Sequence, residues 1–234
     1  MKVWIWFVVA LSAVATGVVQ APASPADADH PTSVTQQLVI ENATELESRL
    51  AQEAFPKVVD YYRLLGFPIP PDSHPRIVFQ DQIEVDGRIM DHAHGVFDPS
   101  TATIYMIHFD SQQFQNCGSL GIGGCEELYF TVLVHEMAHF ANSLVSPGLV
   151  TTIDELIACT VQLSLMDVEL RDRILNSTEV KRFRNVHEIR IIKYRSHPDN
   201  FILASYCFSV DKPEMFVRFL KQTNPPLRDP LFFD

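Results

Sequence analysis

Val132-Leu133-Val134-His135-Glu136-Met137-Ala138-His139-Phe140-Ala141 is the stretch on which the reading of this chain turns. It lies inside a longer helical pattern from about Glu126 to Ser143, with no proline or glycine to break it. At ~100° per residue, His135 and His139 lie within about 40° of each other around a helix axis, one turn apart. Two imidazoles so spaced on one face can bind a single Zn2+. Glu136 is directed to the side of that metal. From there a carboxylate can take a proton from an activated water and later hand it to a leaving group. A metal helix has to be buried, and apolar residues fill the remaining faces here. The plain alternative is a chance HExxH, with two core or surface histidines on an ordinary helix.

Working outward, Ser146-Pro147-Gly148 ends this helix, and a second begins near Thr152 and runs to about Asp167. The rest is helical with interruptions: about Glu179–Tyr194, Asn200–Ser209 and Pro213–Leu220. Upstream, Asn42-Ala43-Thr44 opens a helical stretch with Leu46, Leu50 and Ala54 at helical spacing, interrupted at Pro56 and continued by Val58, Val59, Tyr62 and Leu65. Arg76-Ile77-Val78-Phe79 reads as a short strand. Arg88–Phe97 and Thr103–Phe109 flank the turn-forming Asp98-Pro99-Ser100-Thr101 and read as a hairpin. A small sheet beside several helices is α+β.

The chain's 234 residues fit one domain of ordinary size plus a targeting segment, and 47% hydrophobic with 20% charged residues describes a globular core. A formal charge of -11 and the lack of any long basic run argue against nucleic-acid binding, which needs clustered Lys and Arg. Lys2 precedes an apolar run from Val3 to about Val19, followed by Val19-Gln20-Ala21 and Ala21-Pro22-Ala23, a small-residue cleavage pattern. The expected organisation is a signal peptide over 1–23, a flexible Ala/Pro/Asp/Ser leader over 24–34 and one domain over 35–234. The rival is an uncleaved anchor, although the run is just short of the ~18–20 residues that span a bilayer. Either way the domain is exported, to the periplasm or the medium. Export makes the four cysteines candidates for disulfides. Cys117 and Cys125 bracket a Gly-rich loop and pair with each other, leaving Cys159 with Cys207. Four free buried thiols are the alternative.

With the motif and hairpin together, Arg76–Met166 resembles the zincin metallopeptidases. That resemblance implies a zincin-like fold: a small, mostly antiparallel sheet packed on the active-site helix, with additional C-terminal helices. It implies an edge strand before the HExxH helix, here Thr103–His108, along which an extended substrate lies. The metzincin branch requires Gly three positions and His or Asp six positions after the second His. Asn142 and Val145 stand there, which rules that branch out. The gluzincin-like branch takes a Glu from the next helix, and Glu155-Leu156-Ile157-Ala158 matches its Glu-x-x-Ala pattern. The implied metal ligands are therefore His135, His139 and Glu155, with Glu136 catalytic. Two other readings stand beside Glu155. Thr152-x-x-Glu155 is also a capping box, and Asp154 is a rival ligand, pointing ~100° away.

Other polar residues stay open at this level. His92 and His94 alternate on the supposed strand and fit an exposed hairpin face, substrate contact or a second metal. Tyr206, His187 and His197 lie downstream of Glu155, where a donor to an oxyanion would be expected. Asn42-Ala43-Thr44 and Asn176-Ser177-Thr178 match glycosylation acceptors. The function these features imply is an exported zinc-dependent hydrolase acting on a peptide or protein substrate. The contrasting class is a secreted protein that binds zinc on a zincin-like fold without turning anything over.

Overall fold

A computed structural model describes residues 38–221. The expected signal peptide and leader lie outside the described residues.

Thr44 starts the first helix, α1 (Glu45–Leu64). Its hydroxyl accepts from the Glu47 N–H while the Glu47 carboxylate accepts from the Thr44 N–H at 2.7 Å, a reciprocal capping box. Pro56 does not interrupt this helix. Its missing N–H would have bonded the Gln52 carbonyl, and both residues are on the exposed face, where water can satisfy that carbonyl. The buried face, with Leu50, Ala54, Phe55, Val58 and Tyr62, runs past the proline unbroken.

The strands are β1 (Val39–Glu41), β2 (Arg76–Gln80), β3 (Glu84–Val85), β4 (Arg88–Ile89), β5 (Gly95–Asp98) and β6 (Thr103–Ile107). Four of them form a sheet in the order β1-β2-β6-β5, while β3 and β4 form a separate hairpin. The sheet is mixed, which corrects the mostly antiparallel arrangement expected. β1 pairs with β2 and β2 with β6 in parallel, and only β5 runs antiparallel to β6. The physical reason is that α1 serves as the crossover between β1 and β2, and such a connection makes parallel neighbours. The strand assigned to the edge also changes. β6 is interior, with Thr103, Ile104, Met106 and Ile107 buried, and β5 forms the edge. Asp98 makes that reversal, accepting from the Ser100 N–H at 2.9 Å and the Thr101 hydroxyl at 2.7 Å.

Seven further helices follow: α2 (Gln112–Gln115), α3 (Glu126–Val145), α4 (Thr151–Leu165), α5 (Val168–Ser177), α6 (Ile191–Ser196), α7 (Pro198–Asp211) and α8 (Pro213–Lys221). The protein is thus α+β. α3 packs between α1 and α4, and α4 packs on α7. α5 lies where no helix was expected. It starts from Asp167, whose carboxylate accepts from the Leu170 N–H at 2.9 Å, and buries Leu170 and Ile174. Most of the helix expected over 179–194 is instead loop, because Lys181, Arg182, Arg184 and Arg190 are exposed there with little apolar face to dock.

Neither expected disulfide is present: all four cysteines are free thiols. Cys117 turns toward the His94 ring (Sγ to Nδ1, 3.9 Å), whereas Cys125 is the residue from which α3 starts. Cys159 is buried beneath Glu155 and Glu136, while Cys207 faces a different hollow beside Arg182 and Asp211. Among the described residues no helix is long and apolar enough to cross a membrane.

Candidate metal centre

α3 is buried along most of its length, and the burial includes its two polar motif residues, His135 (8% exposed) and Glu136 (7%). At its end the chain turns through Ser146, Pro147 and Gly148, and Gly148 takes a left-handed backbone (φ +84°) that few other residues accept. Buried Ser146 donates its hydroxyl to the Leu220 carbonyl and so ties this turn to α8. α4 then returns beside α3. Its N-cap is Val150, without a side-chain cap, and Thr152 lies buried inside the helix. The capping-box role for Glu155 therefore falls away, because the carboxylate points back toward α3.

There it meets the two imidazoles. The Nε2 atoms of His135 and His139 are 3.1 Å apart, and Oε2 of Glu155 is 3.3 Å from the first and 3.7 Å from the second. The other ring nitrogens determine what these atoms can be. His139 Nδ1 lies 2.8 Å from Oδ2 of Asp154, a carboxylate that can only accept, so this nitrogen carries the proton. His135 Nδ1 lies 3.2 Å from Oε1 of Gln162, whose amide nitrogen is directed to the Thr131 hydroxyl at 3.4 Å. With both Nδ1 atoms as donors, both neutral rings present a lone pair at Nε2. Oε2 of Glu155 is buried and has no hydrogen-bond partner. Three lone-pair-bearing atoms thus converge without a hydrogen among them, which is repulsive unless a cation lies between them. His135, His139 and Glu155 are a group that can hold a metal ion, all ligand atoms within 4.8 Å of one another.

Asp154 is not one of them. It accepts from His139 and, through Oδ1, from the Asn142 amide at 2.7 Å, and Asn142 in turn accepts from the Tyr62 hydroxyl at 2.5 Å. The rival ligand is thus the group that fixes the ring orientation and tautomer of His139. Without a metal the same groups draw a proton instead: burial disfavours the charged form of His139, but Asp154 and Glu155 outweigh it and hold the ring well above its ordinary range, so that a proton on Nε2 takes the place a metal cation would fill. Burial likewise opposes charge on Glu155, yet the two histidines keep it far below the usual carboxylate range. The same field of carboxylates would welcome a dication.

Glu136 stands apart from this trio. Burial pushes its carboxyl up, the two histidines pull it partly back, and the Phe97 backbone supplies a hydrogen bond that favours the anion. Its side chain rests on Gly95 of the edge strand. A Cβ at residue 95 would lie 2.6 Å from Cγ and 2.9 Å from Oε1 of Glu136, so only glycine leaves that space free. Nothing in the sequence pattern singled out Gly95. A glycine inside a strand, marking close approach of another group, was the available signal.

A cleft of about 450 Å³ opens onto these groups, lined also by Gly95, Val96 and Phe97 of β5 and by Gly148 and Leu149 of the turn after α3. Tyr194 of α6 also lines it and was overlooked in the sequence. Its phenol is pushed far up by burial and by nearby Glu155, Cys159 and Glu136, so it stays protonated and able to donate. Its ring packs edge-on against Phe201 at 5.4 Å.

The other residues considered lie elsewhere. Tyr206 sits under the Arg171 guanidinium (5.1 Å to the ring centroid) and lines a separate hollow, while His187 and His197 are exposed outside this cleft. His92 is exposed in a turn with φ +70°, and His94 packs edge-on against Phe114. They do not alternate along a strand, because β5 begins only at Gly95. Asn42 and Asn176 are both exposed.

An α+β scaffold carrying a three-residue site able to hold a metal ion is what the fold and geometry define. The chain belongs to the family described as "Family of unknown function (DUF6639)", whose match covers residues 75–223 and so includes α3, α4 and the edge strand. No curated protein and no solved structure matches the chain.

Proposed function

We propose that this protein is an exported zinc-dependent peptidase of the zincin type. The observation that carries the reading is the buried, unpartnered Oε2 of Glu155, converging with two Nε2 lone pairs. Ligands about 2.0–2.1 Å from a tetrahedral Zn2+ lie roughly 3.3 Å apart. The separations of 3.1 and 3.3 Å fit that size closely, and 3.7 Å fits it loosely. Two imidazoles and one carboxylate are a donor set typical of hydrolytic zinc. Each histidine is further held by its own Nδ1 partner, Gln162 or Asp154.

When bound, zinc would supply Lewis-acid polarisation of a carbonyl and would acidify water. The chain's own groups do the rest. Glu136, whose carboxyl burial pushes above its ordinary value, takes the proton of the attacking water and delivers it to the leaving amine. Phe97 and Gly95 hold Glu136 in place. Tyr194 keeps its proton and can donate to the oxygen that gains charge as the carbonyl is attacked. The outer position of β5 in the sheet suits an extended peptide, which can add to a sheet edge through main-chain hydrogen bonds.

A protein that only bound zinc would need the ligands but no base, whereas here Glu136 is buried, raised in pKa and fitted against a glycine. Glu136→Gln tests the difference. A catalyst loses peptide turnover by about 10²–10⁴-fold and keeps its metal. Unchanged function in that variant would sink the hydrolase reading. Export rests on the N-terminal run, and intact-mass measurement of the extracytoplasmic form tests it. A species beginning between about Ala15 and Ser24 is expected; one retaining Met1 would mean an anchor.

A further inference from the structure

The cleft's polar side chains outside the reacting centre are already engaged. Asn142 accepts from Tyr62 and donates to Asp154, and both Asp154 oxygens are taken by Asn142 and His139. Ser143 donates to the Phe140 carbonyl at 2.7 Å, and Ser146 donates to that of Leu220. Among the described residues that line the cleft there is no Lys or Arg. A substrate's free carboxylate would find no cation to pair with, and a free ammonium would find no uncommitted acid outside the reacting centre. What remains for recognition is apolar surface, from Val96, Phe97, Pro99 and Leu149, and backbone.

The backbone is specific about direction. The Ile107 N–H donates to the His94 carbonyl at 3.0 Å, so the residue pairs 94/107 and 96/105 are the hydrogen-bonded ones. The main-chain groups of Gly95 and Phe97 therefore point away from β6, along the open edge. The Phe97 backbone already reaches Glu136, which sets the edge and the base side by side.

We propose that this cleft takes an internal, extended polypeptide segment with apolar side chains flanking the bond to be cut, and that it does not recognise chain ends. This rests on the peptidase reading, which it deepens by assigning the substrate: an endopeptidase's, selected by Phe97 and Leu149 through apolar contact. A charged side chain or a free terminus next to the scissile bond would be buried against these walls without a partner.

The test uses the zinc-loaded full chain and decapeptides of one core sequence, acetylated and amidated or left free at either end, with Phe, Leu, Ala, Asp or Lys at the central positions. Turnover is followed by mass spectrometry, and binding to Glu136→Gln protein is followed by fluorescence anisotropy. Blocked apolar peptides should be cut internally, with Asp or Lys lowering kcat/KM by at least about 10-fold. Blocking the termini should change it by less than about 3-fold, and Leu149→Ala should lower apolar selectivity while leaving zinc content intact. Release of single residues from free ends, or a preference for charged centres, would overturn the proposal. Blocked apolar peptides that bind but are never cut would support the docking assignment and defeat the peptidase reading. Absence of both binding and cleavage would overturn the docking assignment itself.

Discussion

Two buried acid–histidine clusters of this molecule make an instructive pair. In one, Glu47 of α1 is fully buried and meets His108 just beyond the end of β6. In the other, Glu155 of α4 meets His135 and His139 of α3. The Glu47 carboxylate is surrounded by donors: the Thr44 N–H at 2.7 Å, the Phe109 N–H at 2.8 Å and His108 Nδ1 at 3.1 Å. It needs nothing more, and it ties a helix start to a strand end. The Glu155 cluster is largely buried too, its three side chains 10–15% exposed, but with both rings neutral its inner edge lacks hydrogens, with one carboxylate oxygen unpartnered and two ring nitrogens 3.1 Å apart. Burial and charge alone therefore do not mark a functional site. The mark is a shortfall of donors around converging lone pairs.

That contrast can be broken most severely at the ligands. Glu155→Gln, His135→Ala and His139→Ala should each reduce zinc affinity by more than the roughly 10–100-fold typical of losing an outer partner, as read by competition with a chelating dye. Next comes Gly95→Ala. The new methyl would displace the Glu136 side chain, and a misplacement of about 1 Å can cost roughly 10²-fold in turnover. Zinc content should be unchanged, and a variant with wild-type kcat would remove Gly95 from the account. Asp154→Asn should weaken zinc by about 10–100-fold without abolishing it, because it orients a ligand without being one. Complete loss of zinc would return Asp154 to the ligand set.

The smallest effect on the metal belongs to the other cluster. Glu47→Gln should leave zinc affinity alone and lower stability by about 1–3 kcal/mol, since donors aimed at a carboxylate would meet an amide. Burial opposes the Glu47 charge, but the donors from Thr44, Phe109 and His108 prevail and hold its pKa below the ordinary value. Its stabilisation is accordingly full above the unfolded value of about 4.3 and fades as pH falls through the lower folded value. Denaturant midpoints of wild type and variant should converge as the pH is lowered through that window. A gap that stayed constant would mean that the Glu47 charge is not the stabilising feature.

The site was more legible than the sheet. The i, i+4 spacing of His135 and His139 is a local property of one helix, and Pro147-Gly148 announced the return that brings Glu155 back. Helix geometry allowed only one of Glu155 and Asp154 to face the metal, since neighbouring positions point ~100° apart, and the Glu-x-x-Ala resemblance pointed to Glu155. The support of Glu136 was not legible: Gly95 and Phe97 lie some forty positions upstream, and only tertiary approach joins them to it. The sheet failed for a related reason. Thr103–Ile107 reads as a strand, but whether it is edge or interior depends on where α1 carries β2. Tyr194 was lost to a helix expected over 179–194, whose exposed basic residues give little face to pack. The cysteine pairing followed from counting thiols, which says nothing of the directions in which Cys159 and Cys207 point.

The central claim is that the Glu155 cluster, and not merely any buried acid–histidine cluster, binds a metal. Zinc stoichiometry by plasma mass spectrometry, on purified wild type and Glu155→Gln after equal dialysis, tests it most directly. The account predicts about one zinc per wild-type chain and almost none in the variant, because a neutral amide replaces a carboxylate on a dication. A wild-type protein without zinc, or a variant that retains it in full, would contradict the claim.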